Sequence, residues 1–236
     1  MDQPKLIGIS ELFSKTSEIV KRRMNVLFMI ALIPVLIQIV VAIIGSVSAS
    51  LGMIIAIPAA IAMILLGIFS YIALIQTVAN ESQNDWRAAF AKSKERAFSY
   101  VWTAVISAVL VIIGLILLII PGIYLAIMYS LGAFIVVLEN KQGMDALRAS
   151  KALISKRALA FVGRMIVFAL VAWVAMFAAG VLGAIVKVGP VPEIIAGLVQ
   201  MVITVYGVVY VYLVYQSLKS LPEAPVTAPV QPAKPM

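Results

Sequence analysis

Apolar residues run through this chain in six long blocks, at about 24–46, 51–78, 98–120, 122–138, 165–186 and 194–216, separated by short polar or basic stretches. A helix rises roughly 1.5 Å per residue and needs roughly 20 residues to cross a bilayer core, so each block reads as a membrane span. The fourth is short for a crossing, and the second is long enough to tilt. Only Pro121-Gly122 separates the third block from the fourth. Proline cannot continue a helix and glycine permits a reversal, so the pair predicts a tight helical hairpin. The connections near Ser48 and at Pro190-Val191-Pro192 are also short, and that side of the membrane has no room for a domain.

Between the blocks lie three segments with a different period. Ser10 to Arg23 aligns Leu12, Phe13, Thr16 and Val20 on one helical face. Asp85 to Phe98 aligns Trp86, Phe90, Ser93 and Ala97, and Gly143 to Phe161 aligns Met144, Leu147, Ile154, Ala158 and Phe161. Apolar residues spaced by three and four, with Lys and Arg opposite, make a helix that lies in the membrane interface. In each segment an aromatic or leucine is followed three residues later by a hydroxyl: Phe13 by Thr16, Phe90 by Ser93, Leu147 by Ser150. The pattern predicts three units, each an interfacial helix followed by a hairpin of spans. The membrane domain then covers residues 1–220. Residues 221–236, with the proline-rich run Pro222 to Met236, read as a disordered tail.

Charge orients this arrangement. With six crossings, every Lys and Arg except Lys187 falls on one side: before the first span, in the second and fourth loops, and in the tail. Short loops rich in Lys and Arg stay cytoplasmic, so both termini are expected in the cytoplasm, with the chain multi-pass in the plasma (inner) membrane of a prokaryote. The polar lead before the first span holds Asp2, Glu11 and Glu18, and the apolar run is longer than a signal core, so the reading is a retained span.

Composition narrows the chemistry. The chain is 64% hydrophobic and 12% charged, against about 25% charged in soluble domains, so lipid must solvate much of it. The net charge of +8 sits beside apolar runs without a basic-aromatic binding face, which points to anionic lipid headgroups and not to nucleic acid. Arg22, Arg23, Arg87, Lys94, Arg96, Arg148, Lys151, Lys156 and Arg157 are the expected headgroup contacts. Cysteine and histidine are absent, which removes thiolate nucleophiles, imidazole acid–base steps, and zinc or haem sites built on those residues. No catalytic residue, cofactor or metal site is expected.

No ionisable residue lies near the middle of a predicted span; Glu139 and Arg164 sit at the inner boundary and Glu193 at the outer one. Gln38 and Gln200 are the amides deepest in spans, readable as interhelical hydrogen-bond partners or as the lining of a solute or lipid path. Pro34 and Pro58 interrupt the first two spans, and Ala179–Gly183 and Gly180–Ala184 are small-residue pairs that allow close helix approach.

The run Pro121 to Phe161 (PGIYLAIMYSLGAFIVVLENKQGMDALRASKALISKRALAF) carries a Pro-Gly-Ile turn, a Val-Val-Leu-Glu ending, a glycine turn and Ala-Leu-x-x-Ser on a basic helix. It resembles the membrane domain attached to some glycerophosphodiester phosphodiesterases and related six-span prokaryotic proteins. Pro121, Gly122, Glu139, Gly143, Ala146, Leu147 and Ser150 match the pattern; a basic residue common in the fourth span is replaced by Met128 or Tyr129. The resemblance implies an all-α membrane-domain fold without phosphodiesterase activity, which in that family resides in a soluble domain. The expected function is a non-catalytic, lipid-contacting accessory or scaffold domain, with a membrane-protein partner. A small-solute or lipid transporter is the alternative, and a phosphoester enzyme built on Glu139 is a distant third.

Overall fold

The computed structural model describes residues 6–155, 157–186 and 188–221, and among them the only regular elements are helices. In chain order these are α1 (Ile9–Arg22), α2 (Met24–Val47), α3 (Ala49–Ala79), α4 (Trp86–Leu117), α5 (Ile119–Tyr129), α6 (Gly132–Glu139), α7 (Gly143–Ser155), α8 (Ala158–Val186) and α9 (Val191–Lys219). Six helical segments are long and apolar enough to cross a membrane: α2, most of α3, α4, α5 with α6, α8 and α9. The protein is an all-α, multi-pass membrane bundle. Lys156, Lys187 and the proline-rich tail lie outside the described residues.

The three units are visible in the packing. Each interfacial helix buries a stripe at four-residue spacing with a hydroxyl at its centre: Leu12, Thr16 and Val20 on α1; Ala89, Ser93 and half-buried Ala97 on α4; Ala146, Ser150 and Ile154 on α7. Each lies against the last span of the preceding unit: α1 against α9, the α4 helix against α3, and α7 against α5 and α6. The second spans α3, α6 and α9 form the core, with buried runs at residues 72–78 and 134–137 and through 208–218. The other ends of the spans are lined with exposed Ile, Leu, Val and Met, as lipid contact requires.

Within each unit the two spans pack together, and α2 and α4 also lie against the preceding unit's second span. The third seam is looser: α8 barely touches α5. The α4–α5 hairpin, by contrast, is tight. A Cβ on Gly122 would sit 2.5 Å from the Leu115 side chain and 2.6 Å from its backbone nitrogen. Without that Cβ, α5 approaches α4 closely.

Several boundaries differ from the sequence reading. The reversal between the third and fourth blocks falls at Leu118, whose extended backbone (φ −161°, ψ 142°) ends α4; Pro121 and Gly122 are inside α5. Pro121 is tolerated there because the first helical N–H groups have no intrahelical acceptor. The interfacial segment from Asp85 is continuous with the third span, since nothing from Trp86 to Leu117 breaks the helix; Asp85 caps it by accepting from the Arg87 N–H at 2.9 Å. At 32 residues, or about 48 Å, α4 exceeds the hydrocarbon thickness and its first turns serve as the interfacial helix. Ala158 and Phe161 belong to α8 and not to the interfacial α7. Of the two small-residue pairs, Ala179–Gly183 is the packed one: a Cβ on Gly183 would meet the Pro192 side chain at 3.1 Å, while one on Gly180 meets nothing within 4 Å.

The fourth block is two helices, interrupted at Ser130-Leu131. A broken backbone at membrane depth must find partners for its freed groups. Ser150 supplies them from α7: its Oγ donates to the Met128 carbonyl at 2.6 Å and accepts from the Leu131 N–H at 3.2 Å. Gly143, with φ +57°, starts α7 and donates its N–H to Thr103 Oγ1 at 2.7 Å. Replacing Ser150 by Ala leaves two buried backbone groups unpaired and is expected to lower stability by about 1–3 kcal/mol. Gly122→Ala forces the α4–α5 hairpin apart, and a loss of about 1–3 kcal/mol is expected. Denaturant titration in mixed micelles reads both; an unchanged midpoint for Ser150→Ala means the interruption does not depend on that hydroxyl.

Candidate functional site

The basic residues divide into two populations. Lys94, Lys151 and Arg157 are exposed at the rim of the bundle, and Arg96 is half-buried. The Arg87 guanidinium lies over the Trp86 ring, 5.2 Å from its centroid, and the residue is exposed. Arg22 pairs with Glu81 at 2.6 Å, and Arg148 approaches Asp145 at 3.9 Å, with all four side chains exposed. Such exposed pairs contribute little to stability and remain available to other anions.

Arg23 does not belong with them. It is 7% exposed, and its guanidinium donates to the Thr77 carbonyl in the last turn of α3 and to the Gln83 carbonyl beyond it. A cation there satisfies carbonyls that the helix end leaves open and opposes its negative pole. Burial lowers its pKa while Glu81 opposes the shift, and a guanidinium stays protonated through such changes. Arg23 is therefore a strut between α1–α2 and α3 and not a headgroup contact. Arg164 is of the same kind: it donates to the Ile7 carbonyl at 2.7 and 3.1 Å and to the Ala160 carbonyl at 2.7 Å, tying the chain before α1 to α8.

Glu139 ends α6 and gathers donors from two directions. Tyr215 donates to it at 2.6 Å and Lys219 at 3.0 Å, both from α9, while Lys141 donates to its second oxygen at 2.9 Å. Phe134 stacks on Tyr215 below this cluster, at 6.2 Å between centroids. The carboxylate joins α6 to α9, and its lone pairs are engaged. The other motif positions are structural too: Ala146 and Leu147 are buried under α6, and Ser150 bridges the broken span.

A second locus lies between α2, α3 and α9 and opens to the outside of the bundle at Gln200, which is exposed. There Gln38 and Gln200 line one cavity of about 230 Å³, together with Pro34, Gly67, Ser70 and Thr204. The two amides were separable in sequence by more than a hundred residues, and the fold brings them to one wall system because α2 packs on α9. A Cβ on Gly197 would stand 3.3 Å from Val35 Cγ1 and 3.4 Å from Gln38 Oε1, which shows how close that packing is. Thr204 donates to the Gln200 carbonyl at 2.9 Å, and Gln200 Nε2 reaches Thr204 Oγ1 only at 3.4 Å. Sequence reasoning missed Ser70 and Gly67. Neither carries a signal of its own, because which face of α3 meets α9 is decided by packing around the ring.

Comparison with protein-family models, with curated proteins and with solved structures finds no match to this chain.

Proposed function

We propose that this protein is a non-catalytic inner-membrane protein of a prokaryote that binds anionic lipid headgroups on its cytoplasmic face and scaffolds a membrane-protein partner. The observation that carries the reading is the exposed basic rim. Lys94, Arg148 and Lys151 stand on amphipathic helices whose apolar stripes are already packed, with Arg157 exposed in the turn after α7, so the charged faces are what this rim offers outward. The engaged state of Glu139 argues against a free general base at that end. The resemblance read in Pro121 to Phe161, to the membrane domain of a family whose catalysis resides in a separate soluble domain, is in keeping with this proposal.

Reconstitution into nanodiscs of mixed phosphatidylglycerol and phosphatidylcholine tests it. The annular lipid is expected to be enriched in phosphatidylglycerol, and the enrichment to fall as salt rises. Neutralising one rim residue, as in Lys151→Gln or Arg148→Gln, is expected to weaken the preference about fivefold at most, the equivalent of about 1 kcal/mol per basic residue. Arg23→Gln is expected to lower stability and leave the lipid preference unchanged. Equal retention of the two lipids at low salt ends the headgroup reading.

A second reading, transport of a small solute or lipid, draws on the cavity shared by Gln38 and Gln200. It predicts flux in proteoliposomes that disappears on Gln38→Leu or Gln200→Leu. Absence of flux across a broad panel of uncharged solutes and fluorescent lipids removes it.

A further inference from the structure

We infer that the cavity between α2, α3 and α9 binds an uncharged hydroxyl group, carried either by a neutral lipid or by a small polyol. It uses the cavity of the transport reading but requires no flux, and it is independent of headgroup contact at the basic rim.

The first observation is depth. Gln38 lies 14 residues into α2, roughly 21 Å along it, and Gln200 lies nine residues into α9, roughly 13 Å from the opposite end. Both are at hydrocarbon depth, where bulk water is not the partner of last resort. The second is unmet hydrogen bonding. Ser70 is 4% exposed, lines the cavity, and its Oγ has no partner. Among the described residues the Gln38 amide has none either, and Gln200 stands on the outside of the bundle with one long contact to Thr204. In hydrocarbon each such group is destabilising until something supplies a donor or acceptor.

The third observation is the chemistry of the wall. It is mostly apolar, with the amides of Gln38 and Gln200 and the hydroxyls of Ser70, Tyr71 and Thr204 as groups that both donate and accept, and no charged side chain. An ionic group would lose its hydration there with no counter-charge in return. A hydroxyl, which also donates and accepts, matches the set. Size sets a further limit. About 230 Å³ is below the roughly 300–1,000 Å³ typical of sites that enclose a drug-sized ligand, so the cavity takes a small head whose remainder lies outside. A Cβ on Gly67, in the cavity wall, meets nothing within 4 Å, so the space is open to a side chain placed there.

Native mass spectrometry of the full chain tests the site with two probes, dioleoylglycerol and the dioleoyl ester of 1,2-propanediol, which lacks the free hydroxyl. The wild-type protein is expected to retain dioleoylglycerol about two- to tenfold better, the factor that one net hydrogen bond supplies. Gly67→Leu fills the cavity and is expected to abolish retention of dioleoylglycerol, while Ser70→Ala, which removes only the orphan hydroxyl, reduces the preference towards parity. Glycerol added to the buffer separates the two sources: displacement of dioleoylglycerol assigns the site to a polyol, and resistance assigns it to the lipid. The chain has no cysteine, so Gln200→Cys provides a unique reporter of the alternative occupant. Efficient disulfide dimers at high lipid dilution place a second copy against Gln200 and overturn the proposal. Equal retention of both probes by the wild type and Gly67→Leu overturns it as well. Retention without flux upholds the site and removes the transport reading; flux with no hydroxyl preference does the reverse.

Discussion

Burial of the second spans at the basic end is the constraint on which the rest of the structure depends. Lipid tails are as apolar as leucine, so the hydrophobic effect does not drive one span against another within hydrocarbon. It acts again where water reaches, at the level of the interfacial helices. The apolar stripes of α1, α4 and α7 have to be covered there, and they are covered by α3, α5–α6 and α9. This explains why residues 72–78, 134–137 and much of 208–218 are buried while the opposite ends of the spans are left to lipid. Small residues then adjust the details: Gly122 draws α5 to α4, and Gly183 closes the α8–α9 hairpin.

Much of this architecture is legible in the sequence. The span pattern depends on hydropathy summed over twenty residues and is insensitive to the identity of any one of them. The interfacial helices follow from the three-and-four spacing around Thr16, Ser93 and Ser150, and all three hydroxyls are fully buried. What was less legible is where helices break. The Pro121-Gly122 pair reads as a turn because proline ends helices from within, but in the first turn of α5 its missing N–H is no loss. The interruption at Ser130-Leu131 has no sequence signal beyond a serine, since its partner, Ser150, arrives from another helix.

The candidate sites show the same limit. Arg22 and Arg23 are neighbours of identical chemistry, and one faces outward while the other supports a carbonyl of α3 and one in the loop after it. The helix break between α1 and α2 at Arg23 separates their directions, and composition does not encode it. Gln38 and Gln200 were visible as costly amides, but their common cavity depends on the ring order that brings the first unit against the third. Glu139 read as a lone boundary carboxylate; Tyr215 and Lys219, four residues apart on α9, turn it into a joint between units.

The ring order also has a consequence for biosynthesis. The platform for α1 is α9, which is separated from it in the chain by seven helices, and the Ile7 carbonyl receives its hydrogen bonds from Arg164 on α8. Because α1 is made before α9, its apolar stripe has no platform until α9 has been inserted. Contacts that join the two ends of a chain form late and slowly because the intervening loop must close first. The amphipathic character of α1 suits it to the membrane interface before α9 is in place, and its packing on α9 then completes the ring.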